Sequence, residues 1–330
     1  MINYTGLTLI QGGFMNFLNI EDEMKFFQKM FVLRKDIENF LFEEGYMNIE
    51  PSIFEGYDDF IGVNSRIDKK STVKLLDNNS EILILTPDIT TGIVNKFMPR
   101  WEIDSLLKIF YYGKTYKHNG VGIKENREMG VEIIGERNPN TDENILNTAA
   151  RIIAKYSSNY LFEIGNSKFL KGIMQSCSFK KEDYENILDI LYLKNRQELK
   201  EYLSKLPYRE PMSTLLNIFD LEGTFEEISE ELNGLYMNDL MKQGLEELKK
   251  IDDYMKNITD KLTYDLSMVS ELSYYDGTIF RGYIEGSNKA IIKGGRYDSF
   301  TEQYGYKIPA MGFTVELDEL IKVLYKEEQI

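Results

Sequence analysis

Histidine and cysteine are almost missing from this chain: His118 and Cys177 stand alone among 330 residues. That scarcity excludes a two-histidine metal site and a thiolate cluster within one chain, so no metal is expected. A single cysteine also excludes an intrachain disulfide and fits a reducing, cytoplasmic setting. A Ser-His-Asp triad would have to use His118. The surrounding Tyr116-Lys117-His118-Asn119-Gly120 reads instead as a strand running into a turn, with the histidine as a polar strand end. Positive charge is also short, with 39 basic against 54 acidic residues and a net charge of −15. That is the wrong sign for gripping a polyanion, and no dense lysine or arginine block offsets it, so no nucleic-acid partner is expected. No apolar run approaches the length of a membrane span, and the start (Met1-Ile2-Asn3-Tyr4-Thr5-Gly6) has no leader pattern. Neither Gly-x-Gly-x-x-Gly nor a Walker-type loop occurs, and no cofactor is expected.

Hydrophobic content of 42% with 28% charged residues is ordinary for a globular chain. Residues up to Asn19 read as an irregular arm. From Glu21 to Gly45, Met24, Phe27, Phe31, Ile37 and Leu41 recur near helical spacing, with acids leading and glycine following. The spacing predicts a helix whose aromatic stripe is core. Tyr46 to Phe54 reads as a strand interrupted by Pro51, which cannot donate to a ladder. Ser71–Leu76 and Glu81–Thr86 pair around the turn Asp77-Asn78-Asn79-Ser80, and Asp88 is placed to cap a helix running to Phe97. Leu106–Tyr116 and Met129–Gly135 are apolar strands, and Lys124-Glu125-Asn126-Arg127-Glu128 between them reads as a solvated loop. A helix follows from Thr141 to about Tyr156. After Asn166 the composition turns to Leu, Glu and Lys at helical spacing, which predicts a helical insertion over 167–257 inside a core of 1–166 and 258–330. Strands return from Leu262, and Leu317–Tyr325 closes the chain as a short helix. Hairpin-like links outnumber strand-helix alternation. The expected class is therefore α+β, with an antiparallel or mixed sheet flanked by helices.

The most informative stretch is Ala290-Ile291-Ile292-Lys293-Gly294-Gly295-Arg296-Tyr297-Asp298-Ser299-Phe300. An apolar strand delivers two glycines, where backbone and ligand can approach closely. Upstream, Tyr274-Tyr275-Asp276-Gly277-Thr278-Ile279-Phe280 reads as a second strand with a tight turn, placed to pair with it. These two stretches, with Thr86-Pro87-Asp88-Ile89-Thr90, Gly130-Val131-Glu132-Ile133-Ile134-Gly135 and Pro309-Ala310-Met311-Gly312-Phe313, resemble the catalytic domain of histidyl-tRNA synthetase. The five motifs are collinear and span nearly the whole chain. The resemblance implies a class II synthetase-like fold with about six strands, a homodimer, and Pro51 as the proline of the dimer motif. Carried over residue by residue, it implies a histidine-like pocket of Asp88, Thr90, Lys117, Glu128, Glu132, Tyr274, Tyr275, Gly294, Gly295 and Arg296. Carboxylates there would meet an ammonium, and an acid or tyrosine hydroxyl a ring nitrogen. Glu128 stands where the family usually has glutamine.

Three departures matter. The arginine of the second class motif falls on Lys117, that of the third on Glu319, and the histidine-specific arginine on Ser270. Adenylation builds negative charge on phosphates, and positioned cations stabilise it. Lysine substitutes only partly for arginine's fork, serine is neutral and glutamate repels phosphate. No catalytic residue is therefore expected. The chain also ends soon after its last motif, where the synthetases continue into an anticodon-binding domain. A shortened relative with a damaged catalytic set resembles the regulatory subunits of ATP phosphoribosyltransferase, the first enzyme of histidine biosynthesis. That family implies a short-form catalytic subunit as partner, histidine as feedback effector, and a homodimer within a hetero-octamer. Lys117 and Arg296 leave open an enzyme that activates an amino acid for a non-tRNA acceptor, and an orphan dimer with an empty pocket is a further reading.

Overall fold

The computed structural model describes residues 19–63, 69–136, 138, 140–270 and 274–327. The expected N-terminal arm, up to Asn19, lies outside them except for Asn19 itself. In chain order the elements begin with α1 (Ile20–Glu43), β1 (Met47–Asn48), β2 (Phe54–Gly56), α2 (Tyr57–Val63), β3 (Lys74–Leu76), β4 (Ile82–Leu85), α3 (Ile89–Phe97), β5 (Leu107–His118) and β6 (Ile123–Ile134). Next come α4 (Thr141–Tyr156), β7 (Tyr160–Asn166), α5 (Ser167–Cys177), α6 (Lys181–Tyr192), α7 (Arg196–Ser204), α8 (Met212–Leu216), β8 (Glu222–Gly223), α9 (Phe225–Glu231) and α10 (Asp239–Met255). The last are β9 (Leu262–Asp265), β10 (Thr278–Ile284), β11 (Ile292–Arg296), β12 (Ala310–Glu316) and α11 (Leu317–Glu327). The chain divides into two compact units, one of residues 1–97, 110–130 and 316–330, the other of 98–109 and 131–315.

In the first unit, Asn19 caps α1 by accepting the Asp22 N–H at 2.9 Å, and three acids fill the first turn against the helix dipole. Its buried face is Met30, Leu33, Ile37 and Leu41. The expected aromatic stripe is corrected here: Met24, Phe27 and Phe31 are exposed. Residues 24, 27 and 31 share one helical stripe, whereas burial follows the neighbouring stripe through 30, 33, 37 and 41. Glu38 is buried on that second side and neutralised by Arg34 at 2.6 Å and Lys35 at 2.7 Å. The strand expected over Tyr46–Phe54 is reduced to the short β1 and the start of β2, on either side of Pro51. The expected hairpin forms: Asp77 accepts the N–H groups of Asn79 and Glu81, both at 2.8 Å, and β3 pairs antiparallel with β4, which also pairs with β2. Lys124–Glu128 is strand, not loop, because its charges have partners. Glu125 meets Lys114 at 3.1 Å, and Arg127 meets Asp318 of α11 at 3.0 Å.

The second unit holds six strands in the order β12-β11-β10-β7-β9-β8. Pairing is antiparallel except for parallel β7–β9. Strand β7, which sequence periodicity did not pick out, lies between β10 and β9. One sheet face buries Phe162, Phe280 and Phe313 with successive ring centroids 6.2 Å apart. The class is the expected α+β with a mixed, mainly antiparallel sheet. Counting β1, β5 and β6, the strands exceed the expected six. Helices α5 to α10 follow β7 directly, with Asn166 accepting the Lys168 N–H at 2.9 Å as the cap of α5. Among the described residues, no helix is long and apolar enough to cross a membrane.

Candidate functional site

Side chains alternate across a sheet, so the face opposite the phenylalanines takes Gly295 of β11 and its register partner Gly312 of β12. Both glycines permit close approach. A Cβ on Gly312 would stand 1.8 Å from the Glu132 carboxylate, and one on Gly295 would stand 2.8 Å from the Tyr275 ring. The two absent side chains thus make a floor on which an acid and a tyrosine lie. Glu132, 1% exposed, accepts the Tyr297 hydroxyl at 2.6 Å. Tyr274 stacks on Phe300 with centroids 4.6 Å apart and meets Tyr275 at 5.0 Å. This pocket side offers a buried carboxylate, phenolic hydroxyls and aromatic faces, a set suited to a polar ring with hydrogen-bonding nitrogens.

Two corrections belong here. Tyr274 and Tyr275 lie in a turn and coil, because β10 begins only at Thr278. That places the Tyr275 ring over Gly295 and the Tyr274 ring against Phe300 rather than in the ladder. Arg296, expected to face ligand, gives its Nε and Nη2 to Asp142 and its Nη1 to Asp298 at 2.9 Å. Burial pulls its charge down, but the hydrogen bond and charge of Asp142, then those of Asp298, outweigh it and hold the guanidinium above its ordinary range. Asp298 is also bound by the Ala310 N–H at 2.9 Å, and Asp276 accepts the N–H groups of Asp298 and Ser299. Arg296 is thus the centre of an acidic cage that joins α4, β11 and the turn after it. Tyr297 was not among the expected site residues, although it sits inside the stretch that drew attention first. Only the distant pairing with Glu132 reveals its role.

Gly294, also expected to line the pocket, lies instead on the opposite face, paired with Phe280 and Phe313, where a Cβ would stand 2.5 Å from Phe313 and 2.6 Å from Phe280, because neighbouring residues of a strand point to opposite faces. Asp88, Thr90, Lys117 and Glu128 belong to the first unit. Asp88 caps α3 as expected, accepting the Thr91 N–H at 3.1 Å and the Thr91 hydroxyl at 2.5 Å. Thr90 is buried, Glu128 is buried on β6, and Lys117 is half-buried on β5. His118 ends β5, and its Nδ1 accepts the Gly120 N–H at 3.1 Å, a turn role. Glu319 accepts the Lys322 ammonium at 2.8 Å. Glu55, which the sequence did not single out, is a second acid beside Asp88. Burial, then the Asp88 charge, push its carboxyl from about 4.5 up to about 7, with an Asn95 hydrogen bond opposing.

A raised carboxyl prefers its proton in the folded state. The stability this gives is full below about 4.5 and is lost as pH rises through about 7. Glu55→Gln is therefore expected to raise the melting temperature at mildly alkaline pH, by the equivalent of about 1–2 kcal/mol after solvent screening, and to change it little in acid. Thermal melts across that range check it; a pH-independent difference would dismiss the assignment.

The histidyl-tRNA synthetase family model matches residues 23–320. The ATP phosphoribosyltransferase regulatory subunit of Clostridium acetobutylicum is 32% identical over 316 residues, covering 88% of this chain and 75% of its own. Among solved structures, an ATP phosphoribosyltransferase regulatory subunit/histidyl-tRNA synthetase from Bacillus halodurans C aligns with a TM-score of 0.81 at 24% identity, over 97% of this chain and 84% of that one. A chain of the ATP phosphoribosyl transferase (HisG:HisZ) complex from Thermotoga maritima aligns with a TM-score of 0.66 at 15% identity, over 87% of this chain and 97% of that one. At those identities the two structures speak to the fold.

Proposed function

The chain belongs to the histidyl-tRNA synthetase family, and to the ATP phosphoribosyltransferase regulatory subunits within it, and from that premise we propose that it is a non-catalytic sensor. It activates a short-form ATP phosphoribosyltransferase, the entry step of histidine biosynthesis, and carries histidine feedback to it. The observation that carries this reading is the kept floor: Glu132 bound by Tyr297 over Gly312, with Tyr275 over Gly295. A cation set for phosphate is not kept with it. Arg296 is spent on Asp142 and Asp298, and Glu319 is an acid where an arginine would serve adenylation. Histidine bound at this floor would favour the inhibited state of the complex. A homodimer within a hetero-octamer and a cytoplasmic setting are part of the same proposal.

Mixing the purified chain with a short-form catalytic subunit is expected to raise that enzyme's activity, and added histidine to lower it again. The coupling expected is about 1–3 kcal/mol, roughly 5- to 150-fold in apparent affinity. The chain alone is expected to support no histidine-dependent ATP–pyrophosphate exchange. Exchange at synthetase-like rates would overturn the regulatory reading, as would the absence of any activation.

A further inference from the structure

The pocket floor continues across the sheet beyond its two glycines. Gly312 and Gly295 share a register row with Ile279 of β10 and Gly165 of β7. Gly165 is closely covered too: a Cβ there would stand 2.7 Å from the Asp265 carbonyl and 3.0 Å from the Met268 side chain. Neighbouring strands lie about 4.8 Å apart, so the segment after β9 covers this row about 10 Å from Gly295. Residues 266–269 belong to no strand, yet none is more than 6% exposed. Buried backbone outside a ladder needs other hydrogen-bond partners.

Those partners come from two sides. At the far end, Arg281 of β10 donates its Nη2 to the Val269 carbonyl at 2.7 Å. At the near end, the helical run from α5 to α10 takes hold. The Leu266 N–H donates to the Leu221 carbonyl at 3.0 Å, and β8 pairs with β9, Glu222 opposite Asp265. Asp265 is fully buried. Its Oδ1 accepts the Ser267 N–H at 2.9 Å and the Ser267 hydroxyl at 2.6 Å, and its Oδ2 accepts the Lys194 ammonium at 2.5 Å. Lys194 stands in the turn between α6 and α7 at a φ of 52°, a left-handed conformation that glycine or asparagine takes at less cost. The reach of its side chain to Asp265 accounts for a lysine at that turn. Burial pulls the ammonium down, but the charge and hydrogen bond of Asp265, then the charges of Glu222 and Glu163, hold it above its ordinary range. Lys194 thus joins the α6–α7 turn to the start of the segment over Gly165.

We propose that Lys194, acting through Asp265, positions the segment that walls the pocket floor and ties it to the α6–α7 turn, so that a ligand on the floor is felt in that turn. This rests on the histidine reading of the pocket. The test is calorimetry and hydrogen exchange on the full chain, without and with saturating L-histidine. In the unmodified chain L-histidine is expected to slow exchange at 265–269 and also in the α6–α7 turn. Lys194→Asn suits the left-handed backbone and removes the ammonium. It is expected to weaken L-histidine binding by roughly 2- to 30-fold, the range for residues that couple sites, and at saturation to leave exchange in the α6–α7 turn unchanged by histidine. Lys194→Arg is expected to restore the response of the turn, which a loss of stability alone would not remove. Lys194→Asn combined with Asp265→Asn leaves no buried charge alone, and it carries the test if circular dichroism shows Lys194→Asn misfolded. A turn response that persists in these variants, or is absent from an unmodified chain that binds histidine, overturns the coupling and leaves the pocket reading intact. An unmodified chain that binds no histidine overturns the pocket reading, and the coupling with it.

Discussion

Arg296→Ala is expected to destabilise the chain by about 3–5 kcal/mol, the range for removing one partner of a buried ion pair. Its guanidinium is largely buried between Asp142 at the start of α4 and Asp298 after β11. Without it, the two acids would face each other across a site with little water, and Asp276 adds a third nearby carboxylate. Their repulsion would fall on a junction that also orders Thr278, whose hydroxyl donates to Asp142 at 2.8 Å. Arg296→Lys keeps the charge but cannot fork to both acids, so an intermediate loss is expected. Denaturant melts of the two variants check this. A midpoint that does not move for Arg296→Ala would remove the cage from the account of the fold and return Arg296 to the ligand candidates.

That cage marks where sequence reading stopped. The Gly-Gly-Arg-Tyr-Asp stretch was legible as a special bend, because apolar residues, paired glycines and a charged end carry local information. Which way the arginine turns depends on Asp142, 154 residues distant in the chain, and no local pattern encodes that pairing. Tyr297 is the same case, since its role appears only when Glu132 lies under its hydroxyl. The helix after Asp88 was easier to place because an N-cap acts within three residues. Lys124–Glu128 misled because charge was taken as a sign of solvent, whereas Lys114 and Asp318 neutralise those residues from other elements. The stripe of α1 misled differently. Spacing shows that a helix is amphipathic, but two adjacent apolar stripes compete, and the packing of the chain chooses between them. Strand β7 carries no alternation that stands out, since burial of Phe162, Ile164 and Gly165 inside the sheet depends on β10 and β9 beside it.

The kept floor makes the sharpest demand on a single position. In Gly312→Ala, the new methyl carbon would stand 1.8 Å from the Glu132 carboxylate and 2.5 Å from the Val131 carbonyl. The side-chain clash is relieved if the carboxylate swings away, but the carbonyl is backbone and can yield only if the strands separate. A displaced Glu132 leaves the buried Tyr297 hydroxyl without its partner, at about 1–3 kcal/mol for a lost buried hydrogen bond. In the reconstituted complex, Gly312→Ala is therefore expected to weaken histidine inhibition by at least about tenfold, the equivalent of about 1.4 kcal/mol, together with a lower melting temperature. Glu132→Gln separates the two effects. It keeps the shape and an acceptor for Tyr297 while removing the charge, so the fold should hold while the histidine response weakens. Activation of the catalytic subunit without histidine is expected to survive in Glu132→Gln, because that substitution touches the pocket and not the assembly. Unchanged histidine inhibition in both variants would place the effector away from this floor, and with it the reason for keeping a glycine, an acid and a tyrosine in contact there.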